Sequence, residues 1–184
     1  MIKFKKCKRF NCPGHAHELT FSCYKNLPLL SDEEACKFLA QAIVSARGKH
    51  KFNLLAYVFM PDHVHLLIMP QKIKYSISNI LQSIKQAASR RILSHYKRFL
   101  PDKLTSLQTG DTRRQHKFWQ EGGGYDRNIF SMDAIKSSID YIHNNPVKRG
   151  LVSNPGDWLW SSYKDWMGMG TGPIPIEIEN IPLL

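Results

Sequence analysis

The stretch KFNLLAYVFM, PD, HVHLLIM, residues 51–69, constrains the fold more than any other part of the chain. Two apolar runs rich in β-favouring residues flank Pro61 and Asp62, whose chemistry suits a tight turn, so the stretch predicts an antiparallel hairpin. In its second arm, side chains two residues apart share a face. His63 and His65 therefore point one way, about 6 to 7 Å apart along the strand, while Val64 points the other. Two neutral imidazoles so placed can converge on one metal ion, or can be hydrogen-bonded at a sheet surface with no metal at all.

The remaining elements follow from periodicity and capping. HELTFSCY (17–24) alternates and predicts a strand. Residues 30–50 open with Ser31 as N-cap and Glu34 three residues on, repeat apolar positions at helical spacing, and reach Gly48 as a stop. Residues 75–100 place Ile77, Ile80, Leu81, Ile84 and Ala88 on one helical face and carry a basic flank. Polar, aperiodic residues 101–116 predict a loop, and KFWQ with YDRNIF a strand broken at Gly122–Gly124. Ser131 caps a last helix that is expected to stop before Pro146. Strand, helix, hairpin, helix, strand, helix implies an α+β fold: an antiparallel sheet with helices packed mainly on one face, of the ferredoxin-like or RRM-like type. We expect one domain over residues 1–166 and an extended Gly- and Pro-rich tail over 167–184.

Charge bears on partners. Lys plus Arg number 26 against 15 Asp plus Glu, a formal balance of +11. Such a surface suits a polyanion, since cationic side chains neutralise phosphates and release condensed counterions, although the same charge can serve solubility alone. The four cysteines, Cys7, Cys12, Cys23 and Cys36, cluster early with no apolar leader before them, so we expect a reducing cytoplasmic setting. No run is long enough to span a membrane.

On the last helix Tyr141 and Asn145 lie at i and i+4, on one face. A phenol can act as a nucleophile, and an amide oxygen can ligate a hard cation. His143 faces elsewhere and reads as structural.

MPDHVHLL (60–67), FWQEGGGYDR (118–127), DYIHNNPVKRGLV (140–152) and WLWSSY (158–163) together resemble the single-tyrosine HUH transposases, and within them the REP-associated tyrosine transposases. The resemblance covers most of residues 13–166 and departs at the cysteine-bearing start, at 101–116 and at the tail. It implies a core that cuts and rejoins single-stranded DNA: Tyr141 as nucleophile, and His63, His65 and Asn145 as ligands of Mg²⁺ or Mn²⁺. Attack by the phenolate would give a 5′-phosphotyrosine and a free 3′-hydroxyl. It further implies single-stranded or hairpin DNA as partner, and a monomer, an expectation the turn after Pro146 and the aromatic DWLWSSYKDW also favour.

Weaker candidates complete the reading. Lys85, Arg90, Arg91 and Arg127 are candidate DNA contacts, though a solvated basic helix face looks the same in sequence. Trp119, Trp158, Trp160 and Trp166 could stack on unpaired bases but suit core or tail-docking positions better. Cys7, Cys12, His15 and His17 offer four donors in eleven residues at a spacing that misses the usual zinc patterns. Two other functions stay open at this stage: a non-catalytic nucleic-acid binder, and a histidine-metal nuclease whose attacking group is water.

Overall fold

A computed structural model describes residues 9–112, 115–122 and 124–178. Strand β1 (Ala16–Ser22) leads to helix α1 (Glu33–His50), the hairpin β2 (Phe52–Phe59) and β3 (His63–Pro70), and the long helix α2 (Ile77–Phe99). Then come the short helix α3 (Pro101–Ser106), strand β4 (Tyr125–Ile129), helix α4 (Met132–Lys148) and the single turn α5 (Tyr163–Trp166). The sheet runs β2-β3-β1-β4 with every neighbouring pair antiparallel, the α+β architecture expected.

Alternation divides the strand residues between two cores. Leu19, Phe21, Val64, Leu66 and Ile68 face α1 and α2. Ala16, Val58 and Leu67 face the opposite way, where Ile135, Ile139 and Ile142 of α4 cover them. Each fully buried large aliphatic contributes about 1.5 to 3 kcal/mol. A bulge between Leu54 and Ala56 shifts the parity of β2, so that Leu55 and Ala56 both serve the α4 side.

Several local expectations are corrected. Asp32, not Ser31, caps α1, its carboxylate accepting from Glu34 N at 3.0 Å. Gly48 does not end that helix, which runs to His50 and closes on Lys51 in the left-handed region (φ 58°) with its N–H on Arg47 O. Residues 101–106 form α3 because Pro101 sits at a first helical position, where its missing N–H is harmless. Of residues 117–120 only Trp119 makes a β-bridge, to Cys23 just after β1. Pro146 lies inside α4 rather than beyond its end. The donor it lacks is lost in the last turn, which Arg149 N on Asn145 O and Leu151 N on Pro146 O hold together. Gly150 (φ 67°) then reverses the chain.

The returning segment docks on the outer side of β2. Trp158 Nε1 donates to Phe59 O and Trp166 Nε1 to Leu55 O, both at 2.9 Å, and Trp160 stacks on Phe59. Phe59 N donates to Trp160 O and Ser162 N to Tyr57 O. Further on, Ile174 is buried with its N–H on Tyr57 Oη, while the Glu177 carboxylate accepts from Leu54 N and pairs with Arg47. Among the described residues no helix is long and apolar enough to cross a membrane.

Candidate active site

β1, β3 and α4 bring His63, His65 and Tyr141 together on the α4 side of the sheet. His63 and His65 occupy β3, where His65 pairs across to Thr20 of β1. The rings tilt towards each other, so that the Nε2 atoms lie only 3.0 Å apart. Each Nδ1 is held from behind, that of His63 by Asp62 Oδ1 at 2.7 Å and that of His65 by Thr20 Oγ1 at 2.9 Å. A carboxylate only accepts, so His63 carries a proton on Nδ1, and its neutral form presents a lone pair at Nε2. Thr20 both donates and accepts, so His65 can take either tautomer. With its proton on Nε2 it donates to His63. With the proton on Nδ1, both Nε2 lone pairs are available to a cation.

Burial of His65 keeps it neutral. It is 4% exposed, and desolvation, reinforced by the charges of His63 and Arg149 against the opposing pull of Asp62, pushes its pKa down to about 4. For Asp62 burial opposes ionisation, but the His63 hydrogen bond and the charges of His63 and Arg149 outweigh it and hold the carboxyl below the usual range. Arg149 Nη2 reaches both Asp62 oxygens, at 3.1 and 3.0 Å.

Tyr141 projects from α4 with its ring edge-on to His65, centroids 5.5 Å apart and planes at 89°. It is 42% exposed, and Lys148 Nζ lies 4.8 Å from its ring centre. Asn145, one turn on and buried, donates Nδ2 to Tyr141 O at 2.8 Å, so its amide oxygen is the atom able to meet a hard cation. His143 points away and contacts Ser162 Oγ at 2.9 Å.

The donor set fits a hard divalent ion. A separation of 3.0 Å between two nitrogens is that of neighbouring ligands about 2.1 Å from an octahedral centre. Orientation of both imidazoles by oxygen partners is the usual support for metal-binding histidines. No group of three or more His, Cys, Asp or Glu converges among the described residues, and Asn145 carries an amide oxygen of the kind a hard cation takes.

A cleft of about 470 Å³ opens beside Tyr141, lined by Glu18, Thr20, His65, Tyr125, Arg127 and Ser138 among others. Gly124 brings β4 against β1 at its edge: a Cβ there would lie 2.2 Å from Thr20 O. Of the cations expected to meet DNA, Arg127 borders this cleft. Lys85, Arg90 and Arg91 belong to α2, across the sheet, where Lys85 donates to Gln120 O and Arg91 lies over Phe38. Cys7 lies outside the described residues, and His17 uses both nitrogens, on Asp126 and on Tyr75.

Sequence reasoning missed Glu18, Thr20, Asp62 and Arg149. The signal for the first pair was there: Glu18, Thr20 and Ser22 form a polar row that alternates with Leu19, Phe21 and Cys23.

Comparison with known proteins agrees with the fold. Residues 15–145 match the family model described as Transposase IS200 like, and the chain belongs to that family. A provisionally named REP-associated tyrosine transposase of Haemophilus influenzae is 25% identical over 114 residues, 62% of this chain and 60% of that protein. The REP-associated tyrosine transposase of Escherichia coli K12 is 23% identical over 138 residues, 75% of this chain and 70% of that one. The match thus spans well under the full length of these relatives. A solved structure of a REP-associated tyrosine transposase bound to a REP hairpin superposes with a TM-score of 0.69 at 19% identity, covering 96% of this chain and 94% of that one, which establishes the shared fold.

Proposed function

We propose that the chain nicks and rejoins single-stranded DNA with Tyr141 as nucleophile, His63, His65 and Asn145 as ligands of Mg²⁺ or Mn²⁺, and hairpin DNA with an unpaired flank as substrate. The observation that carries this reading is the contact of Tyr141 with His65, 5.5 Å between centroids, on the same imidazole whose Nε2 lies 3.0 Å from His63 Nε2. A divalent ion held by that pair would withdraw charge from the scissile phosphate and orient it.

The protein's own groups supply the rest. Tyr141 Oη forms a bond to phosphorus as the bond to the 3′-oxygen breaks, and the proton lost by the phenol is balanced by the proton that the 3′-hydroxyl gains. Lys148 adds positive charge beside the ring on which negative charge develops. One phosphodiester is exchanged for another, so a 3′-hydroxyl can reverse the step without nucleotide hydrolysis. Arg127 takes phosphate at the cleft, and Lys85, Arg90 and Arg91 serve more distant phosphates through a surface of net charge +11. The preference for a hairpin rests on the likeness to REP-associated relatives, one of them solved on a REP hairpin.

Incubation with a hairpin oligonucleotide and Mn²⁺ should leave a denaturation-resistant protein–DNA adduct, absent in Tyr141→Phe. An adduct in Tyr141→Phe would overturn the assignment, and cleavage by wild-type protein with no adduct would transfer the attack to water.

A further inference from the structure

The residue in the cleft that the chemistry above does not use is Glu18. It is 6% exposed, yet it faces the opening beside Tyr141 rather than either apolar core. Ser138 Oγ donates to its Oε2 at 3.0 Å, and Arg127 Nη1 stands 3.9 Å from the same atom. These contacts use one oxygen of a group able to accept about four hydrogen bonds. A hydroxyl donor needs only one acceptor lone pair, so the bond to Ser138 leaves accepting capacity of Glu18 towards the cleft.

The walls of the cleft suit a flat heterocycle. Tyr125, 49% exposed, presents its ring at one side, Arg127 lies two residues along the same face of β4, and the volume of about 470 Å³ falls in the range of small-ligand sites. Aromatic and guanidinium faces stack on unpaired bases. Resting on the proposed single-strand DNA function, we infer that this cleft is a nucleobase pocket in which Glu18 selects guanine. Of the four DNA bases, guanine alone presents two adjacent N–H donors, N1–H and N2–H, on its Watson–Crick edge, and a carboxylate accepts such a pair in parallel. Thymine flanks its one N–H with two carbonyls that a carboxylate repels. Adenine and cytosine place a single amino donor beside an acceptor nitrogen. Glu18 is thus a specificity residue for the base next to the reacting tyrosine, with Ser138 orienting its carboxylate and Tyr125 stacking on the ring.

The test measures binding of the full chain, in chelator so that no cleavage occurs, to fluorescein-labelled oligothymidine carrying a single dG, deoxyinosine or dA. Wild-type protein should prefer dG to deoxyinosine, which lacks only the N2 amino group, by about 5- to 150-fold, as for other bidentate base contacts. Glu18→Gln should bring that ratio close to one. No preference in wild-type protein, or a preference that survives Glu18→Gln, would overturn the inference. Should Glu18→Gln not fold, the analogue series on wild-type protein decides alone. A dG preference without a covalent adduct would sink the nickase and leave the pocket; an adduct without a preference would do the reverse.

Discussion

Asp62 Oδ1 lies 2.7 Å from His63 Nδ1, and the same carboxylate takes two hydrogen bonds from Arg149 Nη2. The end of α4 is thereby tied to the turn that introduces the histidines, and the tautomer of His63 is fixed. Asp62→Asn lets the amide present N–H to Nδ1 and reverses that preference. Loss of such a partner typically weakens a metal site about 10- to 100-fold. Adduct formation titrated with Mn²⁺ should therefore require that much more metal, with little change in thermal stability.

His63→Ala removes one of two converging nitrogens but none of the surface cations. Adduct formation should vanish while hairpin binding, followed by anisotropy in chelator, stays within a few-fold, because affinity is spread over many phosphate contacts. Equal loss of both would make the histidines structural.

His143 supplies a pH dependence. It is 2% exposed, and burial pushes its pKa down to about 4, so the folded protein holds it neutral. Once unfolded, it regains a pKa of about 6.5. Above that value neither state binds a proton there and stability is unaffected. Between about 6.5 and about 4 only the unfolded state is protonated, so stability falls with pH, by up to the order of 3 kcal/mol, and levels off below. Urea unfolding of His143→Gln should lose less stability between neutral pH and pH ~5 than wild type. His65 is shifted in the same direction and keeps its own share of the acid loss in that variant.

Tyr141 and His65 meet within one chain, at 5.5 Å between ring centres. A mixture of Tyr141→Phe protein with His63→Ala, His65→Ala protein should therefore remain inactive, as a monomer with its own complete site requires. Recovered adduct formation would mean that α4 is exchanged between subunits.

Much of this arrangement was legible from spacing. The i, i+2 pair on β3 and the i, i+4 pair on α4 each fix a shared face by local geometry alone, and Pro61 with Asp62 marked the turn between β2 and β3. What spacing cannot give is which face meets which. That α4 covers the Thr20 and His65 side while α1 and α2 take the other is decided by Ile135, Ile139 and Ile142 packing on Ala16, Val58 and Leu67, partners remote in sequence. For the same reason Lys85, Arg90 and Arg91 could be read as basic but not placed, and Glu18 and Asp62 stayed hidden: each acquires its meaning from a residue about 90 to 120 positions away. Pro146 misled because a proline in the final turn removes a bond the helix can spare.

The outward-facing polar backbone of β2 is already engaged, at Phe59 by Trp160, at Tyr57 by Ser162 and at Leu54 by Glu177. An uncovered border strand is a template on which other chains can add strands and aggregate. β2 is the most apolar strand of this sheet, buried along its whole length, and would be the most dangerous border to expose. The segment from Trp160 to Glu177 thus shields that border against self-association. A chain ending at residue 166 would keep every group of the candidate site but bare the Leu54 end of that border, and its fate in the cell would be decided by solubility before chemistry.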